Sequence, residues 1–114
     1  MNSPVLTADE LSLLDDVSDD AYGLWEVDWF FNGKCSQLDA GHRIEFLAAL
    51  VEQGFIDVFF GRMGQIIAPL PSTDALVAVG HWDNWRPPET IDAPVYQVMT
   101  GEVGIAALRS HTSD

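Results

Sequence analysis

The sequence predicts a single α+β domain, and three observations carry that prediction. Helical spacing of apolar residues dominates the first half of the chain. Two short segments, 55–60 and 95–99, have strand composition. Turn signals at Asn32-Gly33, Gly54, Gly61-Arg62-Met63-Gly64 and Pro69-Leu70-Pro71 divide the chain into short elements.

The first helix is expected over residues 8–17. Thr7-Ala8-Asp9-Glu10 reads as a capping box, flanked by Leu6 and Leu11 at staple positions. A second helix is expected from about Asp20 to Phe31, capped by Ser18, Asp19 and Asp20. It is apolar nearly all round, as a central helix is. A third is expected over 37–53, with an N-cap between Ser36 and Asp39 and Gly54 at the C′ position. The strand at 55–60 should turn at 61–64 into a short returning strand at 65–68. Ser72 or Thr73 should cap a short helix through Ala75, Leu76 and Val79. A rigid aromatic loop, residues 80–88, leads to the strand at 95–99. Thr100 then caps a last helix from Gly101 to about Arg109. The domain spans 1–114, with 1–6 and 110–114 expected to fray.

The 114 residues bury roughly 65% of the unfolded surface, enough for a core without staples. The one cysteine, Cys35, cannot build an intramolecular disulfide framework. The start, Met1-Asn2-Ser3-Pro4, has no positive n-region and no apolar h-region, so no signal peptide is expected. No apolar run approaches 18 residues, so no membrane span is expected, and a cytoplasmic location follows.

Charge decides more. Eighteen acids against five basic residues give a net charge of -13. Lys34, Arg43, Arg62, Arg86 and Arg109 are scattered, so neither nucleic acid nor an anionic membrane is an expected partner. A negative surface attracts basic proteins, and it also simply confers solubility. Eight of the eighteen acids lie within residues 1–28, which hold no basic residue. Capping explains Asp19 and Asp20. It does not explain Asp15 and Asp16, which oppose the dipole at a helix C-terminus.

The layout resembles a known family. Three helices, a glycine exit into a strand, a hairpin and a returning strand resemble a winged-helix domain. Leu50-Val51-Glu52-Gln53-Gly54-Phe55-Ile56 is similar to that family's junction between recognition helix and wing. Tyr96-Gln97-Val98-Met99-Thr100-Gly101-Glu102-Val103-Gly104 resembles its final strand turning into a C-terminal helix. Asp19-Asp20-Ala21-Tyr22-Gly23-Leu24-Trp25-Glu26 also resembles a segment of small bacterial proteins of unassigned function with this layout. The resemblance covers about residues 7–109 and implies DNA binding through the third helix and the wing. Charge opposes that implication. The third helix sets Asp39, Glu45 and Glu52 against Arg43, with His42 neutral, and the hairpin offers only Arg62.

No catalytic set stands out. His42, His81 and His111 are far apart, with no zinc-binding spacing. The acids at 15–20 lack the Asp-x-Asp-x-Asp-Gly pattern of a calcium loop. Gly61-Arg62-Met63-Gly64 lacks the Lys-Ser/Thr of a phosphate loop, and no nucleophile–base pair is visible. Lys34 should lower the pKa of Cys35, which has no partner base. Trp82 and Trp85 read two ways, as core seals or as exposed anchors beside Asp83.

The expected function is therefore that of a small acidic inhibitor that binds a basic protein, without metal, cofactor or enzyme activity. Its concrete form is a bacterial immunity protein that neutralises a toxin. The expected partner-binding residues are Asp15, Asp16, Asp19, Asp20, Trp82, Asp83 and Trp85. The alternative is a winged-helix regulator or adaptor that works through protein or small-ligand contacts. Oligomeric state has no signature in the sequence.

Overall fold

A computed structural model describes residues 6–63, 65, 67–90 and 92–112, the last two by their backbone alone. Among these residues there are five α-helices, a 3-10 turn and a three-stranded antiparallel sheet. The helices are α1 (Ala8–Asp19), α2 (Leu24–Lys34), α3 (Ala40–Glu52), α4 (Ser72–Gly80) and α5 (Glu102–Thr112). The strands are β1 (Tyr22–Gly23), β2 (Ile56–Gly61) and β3 (Val95–Thr100). β3 lies in the middle, between β1 and β2. Most of the ends expected to fray, 1–5 and 113–114, fall outside the described residues. Leu6 is buried and α5 continues to Thr112.

The N-terminal capping box forms as expected. The Thr7 hydroxyl accepts from the Glu10 amide at 3.1 Å, and the Glu10 carboxylate accepts from the Thr7 amide at 2.7 Å. α1 then runs two residues further than its spacing predicted. Asp19 is its last residue and Asp20 its C-cap, so neither caps α2. The Ser18 hydroxyl turns back to the Asp15 carbonyl. α2 starts four residues late, at Leu24. Residues 22–23 are drawn into the sheet opposite Val98 and Gln97, a pairing that local periodicity cannot register. Glu26 takes over the capping and accepts from the Gly23 amide at 3.0 Å.

α3 ends as expected. Gly54 adopts φ +81, which the Schellman-type exit requires, and the Phe55 amide donates to the Leu50 carbonyl. The returning strand at 65–68 does not form. Gln65, Ile67 and Ala68 are not in a strand, Ile66 lies outside the described residues, and β2 pairs with β3 over all six of its residues. β3 carries β-branched and aromatic residues along its length, and Pro69 follows 65–68 closely. Gln97 secures the exit of β2. Its buried Nε2 donates to the carbonyls of Gly61 and Arg62, both at 3.0 Å. The chain between β2 and β3 then carries α4, which packs on α3, and the turn Trp82–Trp85. Thr100 does not cap α5. Its hydroxyl donates instead to the Leu14 carbonyl at 2.6 Å, in the core and 86 residues away in sequence.

The core fills the space between the helices and one face of the sheet. Leu13, Leu14, Val17, Leu24, Val27 and Phe31 come from α1 and α2. Leu47, Leu50, Ile56, Val58, Val79, Trp85 and Val98 also belong to it. Phe31 meets Phe46 edge to face at 5.0 Å and faces Trp85 at 6.5 Å. Phe31, Leu47 and Leu50 are buried, and Trp25 is half-buried.

Among the described residues one charged side chain is buried. Arg43 is 8% exposed. Its Nε donates to the Leu38 carbonyl. Its Nη1 reaches both the Asp28 carboxylate and the Asn32 side-chain carbonyl at 2.7 Å, and the guanidinium lies over the Phe31 ring. Removing one member of a buried pair leaves the other charge uncompensated. Asp28 keeps some access to water, so Arg43→Ala should cost about 3 kcal/mol, the low end for such pairs. Arg43→Lys should recover only part of the loss, because an ammonium lacks the planar fork that spans these acceptors. Urea denaturation of the two variants checks both outcomes.

Candidate functional site

The expected site residues fall into two separate groups. The first is the C-terminal corner of α1. Asp15, Asp16, Asp19 and Asp20 are all exposed, and none forms an ion pair among the described residues. Because α1 extends through Asp19, the macrodipole opposes Asp19 and the C-cap Asp20 without any capping in return, and Asp15 and Asp16 lie about a turn further in. Tyr22 sits beside them. Burial pushes its phenol up, and the charges of Asp16, Glu26 and Asp20 push it further.

Next to this corner is a cavity of about 200 Å³ that sequence reasoning missed. Asp19, Asp20 and Ala21 form one side. Phe59, Gln97 and Met99 form a floor on the face of the sheet opposite the core. The signal for it was Gln97, a polar residue inside the otherwise apolar run Val95-Tyr96-Gln97-Val98-Met99.

The second group is the 3-10 turn. Trp85 is buried, and its indole N–H donates to the Val79 carbonyl at 3.0 Å. It is a core residue, so it offers no contact surface to a partner. Trp82 stacks on it at 5.2 Å and remains 39% exposed. Asp83 is exposed and faces Arg86 at 3.3 Å, an ion pair in open solvent that contributes little. The turn does not adjoin the acidic corner. Its neighbouring surface is built on Phe60 and Tyr96, whereas the corner's cavity is built on Phe59 and Gln97, which face the other way.

No family model, curated protein or solved structure matches this chain.

The helix that would read DNA in a winged-helix domain has an acidic outer face. Arg43, its one arginine, points inward to Asp28. Asp39, Glu45 and Glu52 remain outside. Asp39 caps α3 by accepting from the His42 amide at 2.9 Å, and His42 Nδ1 lies 2.7 Å from the same oxygen. A proton gained by His42 is therefore matched at once by Asp39.

Other candidates are inert or scattered. Cys35 is buried and donates to Asp9 Oδ2 at 3.3 Å. Burial and the Asp9 carboxylate push its thiol up, and this outweighs the lowering expected from Lys34. Among the described residues no group of three His, Cys, Asp or Glu is placed to hold a metal ion. No helix among them is long and apolar enough to cross a membrane.

The His42–Asp39 contact has a pH signature. The backbone bond from His42, then its side chain, hold Asp39 below its ordinary value of 3.8. The Asp39 carboxylate holds His42 above its ordinary 6.5. Stability from the depressed Asp39 is present above 3.8 and is lost as pH falls through its lowered value. Stability from the raised His42 is present below 6.5 and is lost as pH rises through its raised value. The contact should thus contribute most between these two ordinary values. Proton NMR titration of His42 should show its midpoint falling toward 6.5 in Asp39→Asn.

Proposed function

We propose that this chain is a small acidic inhibitor that binds a basic protein, in the form of a bacterial immunity protein that neutralises a toxin in the cytoplasm. It needs no metal or cofactor and is not an enzyme. The observation that carries this reading is the corner of α1. Four carboxylates crowd there without ion-pair partners among the described residues, two of them at a helix end that disfavours them. Folding gains nothing from that arrangement. Association with a cationic cleft gains rate and orientation from it.

In this reading the scaffold is winged-helix-like, with its outer face turned from nucleic acid to protein. The order of three helices before the β2–β3 pair, and the helix after it, supports that layout. The long connection over residues 62–94 stands where a short wing would be. A regulator or adaptor that takes a small ligand is the second reading. The cavity beside Asp19 and Asp20 favours it, although about 200 Å³ is below the usual size of small-molecule sites.

Co-expression tests the first reading. The chain should restore growth to cells that produce a basic toxin encoded beside it, and failure to do so removes the proposal. With the purified pair, Asp15→Asn/Asp16→Asn should slow association several-fold at low salt and flatten its salt dependence. Thermal stability should stay level or rise slightly, because the exposed acids make no ion pair and crowd Asp19 and Asp20 at helical spacing. Equal rates at every salt would leave the corner as a solubilising face only. Anisotropy with duplex DNA should show no specific binding at physiological salt. Tight, salt-sensitive binding to one sequence would restore the regulator.

A further inference from the structure

The turn at Trp82–Trp85 braces a surface that the acidic corner does not use. Two depressions, of about 370 and 310 Å³, adjoin there and share Phe60 and Tyr96 as their floor. These two residues are cross-strand partners near the end of the β2–β3 ladder, with ring centroids 4.6 Å apart. Phe60 is 42% exposed, so part of its ring is open to solvent. The rim is acidic. Asp74 lines one depression, and Asp83 and Glu89 line the other. Arg86 also lines the second and pairs with Asp83, which leaves Asp74 and Glu89 as the unbalanced carboxylates of the rim. The imidazole of His81 lines the first.

The surface is held in shape before anything binds. The Asn84 side chain donates to the Ala78 carbonyl at 2.8 Å, the Trp85 indole anchors in the core, and Pro87 and Pro88 stiffen the far side. Little ordering cost remains for a ligand.

We propose that this trough is a second docking site, which takes an extended, arginine-bearing segment of a partner protein. The chemistry selects that occupant. Aromatic faces attract cations, and the planar, weakly hydrated guanidinium both stacks on rings and pairs with carboxylates. The rim carries more carboxylates than cations, and the whole chain at -13 repels acidic segments. Two adjoining depressions on one floor suit successive side chains on one side of an extended strand. This site does not depend on the corner of α1 binding anything.

The test uses a probe peptide, acetyl-Gly-Arg-Gly-Arg-Gly-amide, titrated into the full chain at fixed salt and read by amide chemical shifts. Shifts should concentrate at Phe60, Tyr96 and residues 81–85. Replacing both arginines by citrulline, neutral and nearly isosteric, should weaken binding at least tenfold, and lysine should weaken it several-fold. Phe60→Ala should weaken it at least tenfold. Phe60→Leu, which keeps apolar volume without a π-face, should also weaken it, with melts as the folding control. Glu102→Gln removes an exposed charge beside Asp57, at the other end of the β2–β3 ladder from Phe60, and should change affinity less than twofold. Shifts centred on residues 15–20, or wild-type affinity in Phe60→Leu, would overturn the proposal in favour of diffuse charge attraction. Concentration-dependent shifts at the trough without peptide would overturn it in favour of a second copy of the chain.

Discussion

The guanidinium of Arg43 is the fixed point of the helical half. It draws on the Leu38 carbonyl at the entry to α3 and on Asp28 and Asn32 in α2, so two helices and their connection are set by one side chain. Its position over Phe31 also fixes that ring, which in turn meets Phe46 and Trp85. A buried cation tolerates few arrangements, because any other leaves it without acceptors. The same commitment shapes the outside. The only arginine of α3 is spent on the interior, so the exposed face keeps its acids unbalanced.

The sheet divides the remaining surface in two. One face of β2 and β3, through Val58 and Val98, closes the core, and the aromatic pair Phe60 and Tyr96 extends that face to the trough. The opposite face, through Phe59, Gln97 and Met99, floors the small cavity beside Asp19 and Asp20. Strand alternation thus sends neighbouring residues 59 and 60 to different sites. A partner of ordinary size that docks flat against one face leaves the other open.

What was legible in the sequence was local. Thr7 and Glu10 announced the start of α1, and Gly54 announced the end of α3, because each signal and its partner lie within one turn. What was not legible depended on partners far along the chain. Tyr22 and Gly23 read as helix because their strand partner is β3. Thr100 read as a cap because its acceptor is Leu14. Arg43 read as a surface cation because Asp28 and Asn32 belong to another helix. The misplacement of Asp19 and Asp20 followed from that of Tyr22. Once the sheet claims residues 22–23, the acids fall at the end of α1 and lose their capping role. At the candidate site, composition marked the acidic corner; the cavity left only Gln97 as a signal and the trough none, because both are assembled from segments far apart in the chain.

The central place of β3 has a consequence for the order in which the chain acquires structure. Translation delivers the N-terminal part first, and residues 95–100 come late. Until they emerge, β1 and β2 have no neighbour to pair with, and the Leu14 carbonyl lacks its hydroxyl. The helices can collapse early around their own apolar faces, but Ile56 and Val58 lack their cross-strand neighbours Thr100 and Val98. A ribosome paused before β3 therefore holds a nascent chain with open strand edges, the form most exposed to chaperones and proteases.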